Sequence, residues 1–237
     1  MEILTKGTVF LASLQLILLM PAGCGIARLV GDVRSLLADE RVRRLVDARV
    51  REFIEAGGGD DRRWFEELVF CILTANSSAE MGLKCVEALK ARGLLFKGGV
   101  KEVSDALKVA GHRYPVRRAE YIVEARRWMT GLKERILGFR DTAAARRWLV
   151  RRFRGIGWKE ASHFLRNVGI LDVAIIDRHV QRLMHDYNII PRTTKHLTGS
   201  RYLQYENILR GISREVGVPL GVLDLYLWYM RTGKVLK

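Results

Sequence analysis

Cysteine, asparagine and glutamine are the scarce residues of this 237-residue chain, at three, four and three copies. Cys24, Cys71 and Cys85 fit neither the paired spacing of a zinc ribbon nor a disulfide framework, so free thiols in a reducing interior are the simpler reading. Three thiols cannot supply the four thiolates of an iron–sulfur cluster, and that cofactor is excluded by counting. Few side-chain amides beside abundant arginine suit a hot-living source. Long apolar runs are also missing. Thr8 to Met20 is nearly continuous but too short to span a membrane comfortably, and the start from Met1 to Lys6 is less basic than a signal peptide wants. Pro21-Ala22-Gly23-Cys24 makes a poor lipoprotein cleavage site. Residues 1–31 are therefore set apart as an apolar N-terminal extension, packed on the body of the protein or dispensable to it. Neither strand alternation nor an internal repeat nor a low-complexity linker is found.

What is present is basic and helical. Hydrophobic residues make up 49% of the chain, ample for a core, and 41 Lys and Arg against 26 Asp and Glu give a formal charge of +15. Such an excess favours a polyanionic partner, nucleic acid first, although charge alone does not separate a DNA-binding chain from a merely basic one. From Asp32 on, apolar residues return every three or four positions. Val33, Leu36, Leu37, Val42, Leu45, Val46, Val50 and Phe53 form one long stripe that stops at Gly57-Gly58-Gly59. Helices are predicted around Trp64 to Ala75, from a Ser77 or Ser78 cap to about Gly93, over Val100–Val109, and from Pro115 to Gly131. Others follow an Asp141 or Thr142 cap, run from Lys159 to Val168, and occupy about Arg201–Val216 and Leu220–Thr232. The expected fold class is all-α.

The informative stretch is Phe153-Arg154-Gly155-Ile156-Gly157-Trp158-Lys159-Glu160-Ala161: a helix end, an apolar residue between two glycines, and a new helix start. Glycines allow a tight turn and let a phosphate approach the main-chain N–H groups at the second helix's N-terminus, where the helix dipole favours an anion. Taken alone, the same pattern equally describes an ordinary helical hairpin. Eighteen residues beyond Lys159 stands Asp177, at the end of the apolar run Val173-Ala174-Ile175-Ile176 and ahead of Arg178-His179-Val180.

Together these residues resemble the helix-hairpin-helix, about residues 142–168 here, of the endonuclease III type of DNA glycosylase superfamily, in which a catalytic Asp follows the hairpin at this spacing. That superfamily carries a Gly-Pro-rich segment before the Asp; here no proline lies between hairpin and Asp177. Ile72-Leu73-Thr74-Ala75-Asn76-Ser77-Ser78-Ala79-Glu80-Met81-Gly82 and the ending Asp224 to Lys237 resemble more closely one branch, the archaeal-type 8-oxoguanine glycosylase and lyase family. Resemblance runs from about residue 32 to the end.

The resemblance implies a bifunctional enzyme that flips a damaged base out of duplex DNA, attacks its sugar with Lys159, and cleaves the strand from the resulting Schiff base. Asp177 would stabilise the cationic sugar and assist proton movements, and it can serve as a helix N-cap at the same time. Trp228 is implied as a stacking wall for the base and Lys237 as a reader of it, though by pattern they are a core residue and a frayed terminus. Asn76, Gly155, Gly157, Arg154 and His179 are the implied DNA contacts. His179 has no second His or Cys at ligand spacing, so no metal is expected on side chains, while relatives imply an ion on the hairpin's backbone carbonyls.

The expected organisation is two helical subdomains, residues 32–62 plus 178–237 and residues 63–177, with DNA crossing between them at the hairpin. The expected partner is double-stranded DNA bearing a damaged base, bound by a monomer inside the cell and without a membrane. Competing readings are a glycosylase for other oxidised or alkylated bases and a non-catalytic helix-hairpin-helix module that grips phosphate.

Overall fold

The computed structural model describes residues 22–236, with side chains from Cys24 on. Among these residues there are twelve α-helices, one 3-10 turn and no strand. Helices α1 (Ala22–Ala38) and α2 (Glu40–Gly58) divide the single long stripe read from the sequence. The break falls at Asp39, whose carboxylate accepts from the N–H groups of Arg41 and Val42 at 2.9 and 3.2 Å and so starts a new helix. Gly31 lies inside α1, and Leu29 and Val30 just before it are core residues.

Next come α3 (Asp61–Thr74), α4 (Ala79–Ala91), α5 (Val100–Val109) and α6 (Pro115–Ala125). Ser78 caps α4 by accepting from Met81 N–H at 3.1 Å. The helix predicted from Pro115 to Gly131 ends early: Arg126–Trp128 is a 3-10 turn, and left-handed Gly131 opens α7 (Leu132–Leu137), which sequence periodicity missed. Asp61 braces that turn by accepting from the N–H groups of Gly131 and Lys133 at 2.7 and 2.9 Å. Asp141 caps α8 (Thr142–Arg152), and α9 (Trp158–Asn167) follows the hairpin. The chain closes with α10 (Arg178–Asp186), α11 (Gly199–Val216) and α12 (Leu220–Thr232).

Two main cores hold these helices. The first runs from Trp64 to Val173 and includes Phe65, Leu68, Phe164 and the hairpin's Ile156. The second joins α1 to α10, α11 and α12 through Leu29, Val33, Met184, Tyr202, Leu209 and Leu223, and takes in Ala174 and Ile176. A smaller cluster packs α2 on Leu225 and Tyr226. The chain thus passes from one core to the other between Val173 and Ala174, inside the extended run that leads to Asp177. Helix α9 lies in the first core, while Trp158 at its start packs against the second.

Candidate active site

The hairpin turn is built on Gly155, whose φ of 83° is left-handed. A Cβ there would lie 2.6 Å from the Tyr121 ring and 2.9 Å from Arg118 Nη1, so space as well as conformation requires glycine. Ile156 is 4% exposed and plugs the turn into the first core. Gly157 is the N-cap of α9, and its N–H donates to Glu160 Oε2 at 3.2 Å. The first-turn N–H groups of α9 have no carbonyl one turn earlier to bond, as at any helix N-terminus.

Lys159 is the second residue of α9, with its side chain 31% exposed and its Nζ 3.1 Å from Glu160 Oε1. Glu160 therefore spends one oxygen on the hairpin and the other on the lysine. Among the described residues no group of three or more His, Cys, Asp or Glu could hold a metal.

Asp177 is the N-cap of α10, and its Oδ1 accepts from the N–H groups of His179 and Val180 at 2.8 and 2.9 Å. No hydrogen bond or ion pair joins it to Lys159. What connects the two is the run before Asp177, whose main chain is captured by buried side chains. Ala174 N–H donates to Glu206 Oε1 at 3.1 Å, Ile175 N–H to Asp224 Oδ1 at 2.9 Å, and Ile176 N–H to the Tyr202 hydroxyl at 3.2 Å. Glu206 is held by Arg146 through two 2.6 Å contacts, and Asp224 by Arg166 at 2.6 Å. Burial pushes the Asp224 carboxyl up to about 6 against the opposing pull of Arg166 and the Ile175 N–H, with the Asp177 charge adding to the rise. Burial likewise pushes the Arg166 guanidinium down.

His179 and Trp228 meet edge to face, ring centroids 4.8 Å apart, which brings Trp228 beside the Asp177 cap. The Trp228 indole N–H is buried without a hydrogen-bond partner. Lys237 lies outside the described residues. The tail before it leaves α12 at left-handed Gly233 and reaches α4, where Lys234 Nζ stands 3.9 Å from Glu80. Asn76, exposed and at φ 59°, tips the turn immediately before α4.

Two buried residues that the sequence reading did not single out brace that turn. Arg118 donates to the Ala75 carbonyl, and His112 Nε2 donates to the Leu73 carbonyl at 3.0 Å while its Nδ1 accepts from Tyr114 N–H at 3.1 Å. Burial lowers both basic groups. Because Arg118 also adjoins Gly155, it ties the Asn76 turn to the hairpin. Arg154 faces α6, its guanidinium 4.8 Å over the Tyr121 ring and 3.4 Å from Glu124. Arg118, Arg146, Arg166, Glu206 and Asp224 share one readable signal, a charged residue on the apolar stripe of its helix.

Comparison with known proteins places this geometry. A family model described as 8-oxoguanine DNA glycosylase matches residues 46–218. The 8-oxoguanine DNA glycosylase/AP lyase of Korarchaeum cryptofilum is 48% identical over 213 residues, covering 90% of this chain and all of that one. Its counterpart from Methanocaldococcus jannaschii is 46% identical, over 85% of this chain and 96% of the relative. The crystal structure of the Methanocaldococcus jannaschii 8-oxoguanine glycosylase/lyase in complex with a 15mer DNA containing 8-oxoguanine superposes with a TM-score of 0.83 at 45% identity, covering 89% of this chain and all of that one. The 8-oxoguanine DNA glycosylase of Thermotoga maritima gives 0.81 at 42% identity, over 90% and 100%. The all-α helix-hairpin-helix architecture, the match across most of the sequence and the full coverage of such relatives establish that this chain belongs to the 8-oxoguanine DNA glycosylase family.

Proposed function

We propose that this chain is a bifunctional DNA glycosylase and AP lyase that removes 8-oxoguanine from double-stranded DNA, with Lys159 as nucleophile and Asp177 as its carboxylate partner. The observation that carries this reading is the placement of a lysine in the first turn after the Gly155-Ile156-Gly157 hairpin and of an aspartate capping the next helix, within this family.

The chemistry follows from that placement. A base in the duplex is out of reach, so it is rotated into the protein, and phosphate contacts at the hairpin and at exposed Arg154 offset the unstacking. Lys159 leaves Glu160, sheds its proton and attacks C1′ of the sugar. The bond from C1′ to the base breaks, and its electron pair leaves with the base, which gains a proton. The ring oxygen then departs from C1′ to give a Schiff base. Loss of a C2′ proton expels the 3′ phosphate and cuts the strand.

With Oδ1 of Asp177 fixed by two N–H groups, Oδ2 is left to face the positive charge that builds on the sugar. Trp228, with its unsatisfied indole N–H beside His179, serves as the wall for the flipped base, and Lys237, outside the described residues, is assigned to reading it. His179 works on the phosphate side, and Asn76 enters the space the base leaves. One chain carries the whole constellation, so the working unit is a monomer, acting where DNA is, inside the cell. Among the described residues no helix is long and apolar enough to cross a membrane.

The test is incubation of the full chain with duplexes carrying 8-oxoguanine opposite each of the four normal bases, measuring free base and strand scission separately. Release of 8-oxoguanine with scission of the same strand is expected. Release of an alkylated base or an oxidised pyrimidine in preference would replace this substrate with another.

A further inference from the structure

Relatives of the wider superfamily lead into their catalytic aspartate with a Gly-Pro-rich segment, and this chain has no proline there. A proline would stiffen the run by fixing φ. Here the run Val173–Ile176 has no regular secondary structure, yet all four residues are buried, and three consecutive N–H groups end on side chains of α11 and α12. Two of the three acceptors also touch the helix that carries Lys159: Asp224 through Arg166 near its far end, and Tyr202 through Ser162, one turn from the lysine.

The Tyr202 hydroxyl accepts from Ile176 N–H at 3.2 Å and shares its one proton between Ala174 O at 2.7 Å and Ser162 Oγ at 3.0 Å. Ser162 lies on α9, one turn after Lys159; its hydroxyl donates to Trp158 O at 2.9 Å and accepts from Arg146 Nη1 at 3.0 Å. The Tyr202 ring lies 6.2 Å from that of Trp158, and Arg146 stands over both rings at 5.7 and 5.6 Å. Tyr202 is 1% exposed and Ser162 fully buried, so water does not replace any of these contacts. One phenol oxygen thus joins the residue before Asp177 to the first turn of α9.

We propose that Tyr202 is a positioning residue for the reaction: its hydroxyl holds the Asp177 run in register with the helix that presents Lys159. The phenol stays protonated, because burial raises its titration far above neutrality. This proposal rests on Lys159 and Asp177 being the reacting pair. Misplacing a reacting group by about 1 Å is enough to cost about 100-fold in rate, and no direct contact between the two side chains corrects their separation.

The experiment compares single-turnover rates of base release and of borohydride-trapped adduct formation on an 8-oxoguanine duplex, with the DNA Kd measured in parallel. The variants are Tyr202→Phe and Ser162→Ala, which remove the two ends of the bridge, each made alone and together with Asp177→Asn. Ile212→Val, in the same core, serves as a control for lost stability. Tyr202→Phe is expected to slow both rates by about tenfold or more with Kd within about twofold, and Ser162→Ala to act in the same direction. Placed on Asp177→Asn, either change is expected to add little, since it acts through that carboxylate. Equal slowing in both backgrounds, slowing matched by Ile212→Val at the same loss in Tm, or no slowing would overturn the proposal. If Tyr202→Phe fails to fold, Ser162→Ala decides. Failure of the underlying reading shows separately, as an adduct that survives Lys159→Gln in the otherwise unaltered protein.

Discussion

Replacing Asp224 with alanine is expected to destabilise the fold by about 3–5 kcal/mol, because it leaves the Arg166 charge buried without its counter-ion and the Ile175 N–H without its acceptor. Both side chains are 4% exposed and their contact is 2.6 Å long, while the other side chain Arg166 donates to, Asn167 Oδ1 at 3.3 Å, carries no charge. Arg166→Met leaves the opposite group behind, and pH separates the two variants. Asp224 titrates near 6 when folded against an ordinary 3.8, so its ionisation favours the unfolded chain. That cost is absent below pH 3.8, grows as pH rises toward 6, and is full above 6, at about 3 kcal/mol for a shift of about two units. Between pH 7 and pH 5 the unaltered protein recovers about 1 kcal/mol of it. Asp224→Ala recovers none, so its deficit widens by about 1 kcal/mol on acidification. Arg166→Met removes an influence that lowers the Asp224 carboxyl, which then titrates above 6 and recovers more, so its deficit narrows by a similar amount. Urea unfolding of all three proteins at pH 7 and pH 5 reads the two slopes. Deficits that move in the same direction, or a loss below about 1 kcal/mol for Asp224→Ala at pH 7, would refute the reasoning.

Two further outcomes follow from the site. Gly155→Ala is expected to cost about 1–2 kcal/mol from the left-handed backbone alone, with more from the clash against Tyr121 and Arg118, and to weaken DNA binding. Thermal melting and fluorescence anisotropy on a duplex read both effects. Asp177→Asn keeps an N-cap side chain and is expected to melt like the unaltered protein while losing base release; Asp177→Ala also loses about 1 kcal/mol of stability. A melting deficit in Asp177→Asn equal to that of Asp177→Ala would mean that the charge, not the cap, is what the fold uses.

The helices were legible because their stripes and caps are local: Ser78, Asp141 and Asp177 stand where the sequence places helix starts, and each accepts from a first-turn N–H group. Breaks inside a continuous stripe were not legible. Asp39 interrupts a pattern that reads through it, and Gly131 starts a helix too short to show a period. The hairpin, Lys159 and Asp177 were visible as residue types at a spacing, and the structure adds what spacing cannot carry. Glu160 engages both the turn and the lysine, and the run into Asp177 is fixed by Glu206, Asp224 and Tyr202, more than twenty residues away in sequence. A charged residue on an apolar stripe announces that a partner exists without naming it. Arg118 shows the same limit: its place on the buried face of α6 is readable, whereas its hold on the Ala75 carbonyl comes from tertiary packing.

The central claim is that Lys159 forms a covalent bond to the sugar of a damaged nucleotide. Borohydride reduction during reaction with an 8-oxoguanine duplex tests it most directly, because only a Schiff base is fixed by reduction. A protein–DNA adduct that forms with the unaltered chain, disappears in Lys159→Gln and is faint on undamaged duplex is the expected result. Tight DNA binding with no adduct and no base release, on this and other lesions, would contradict the account and leave a helix-hairpin-helix module that only grips phosphate.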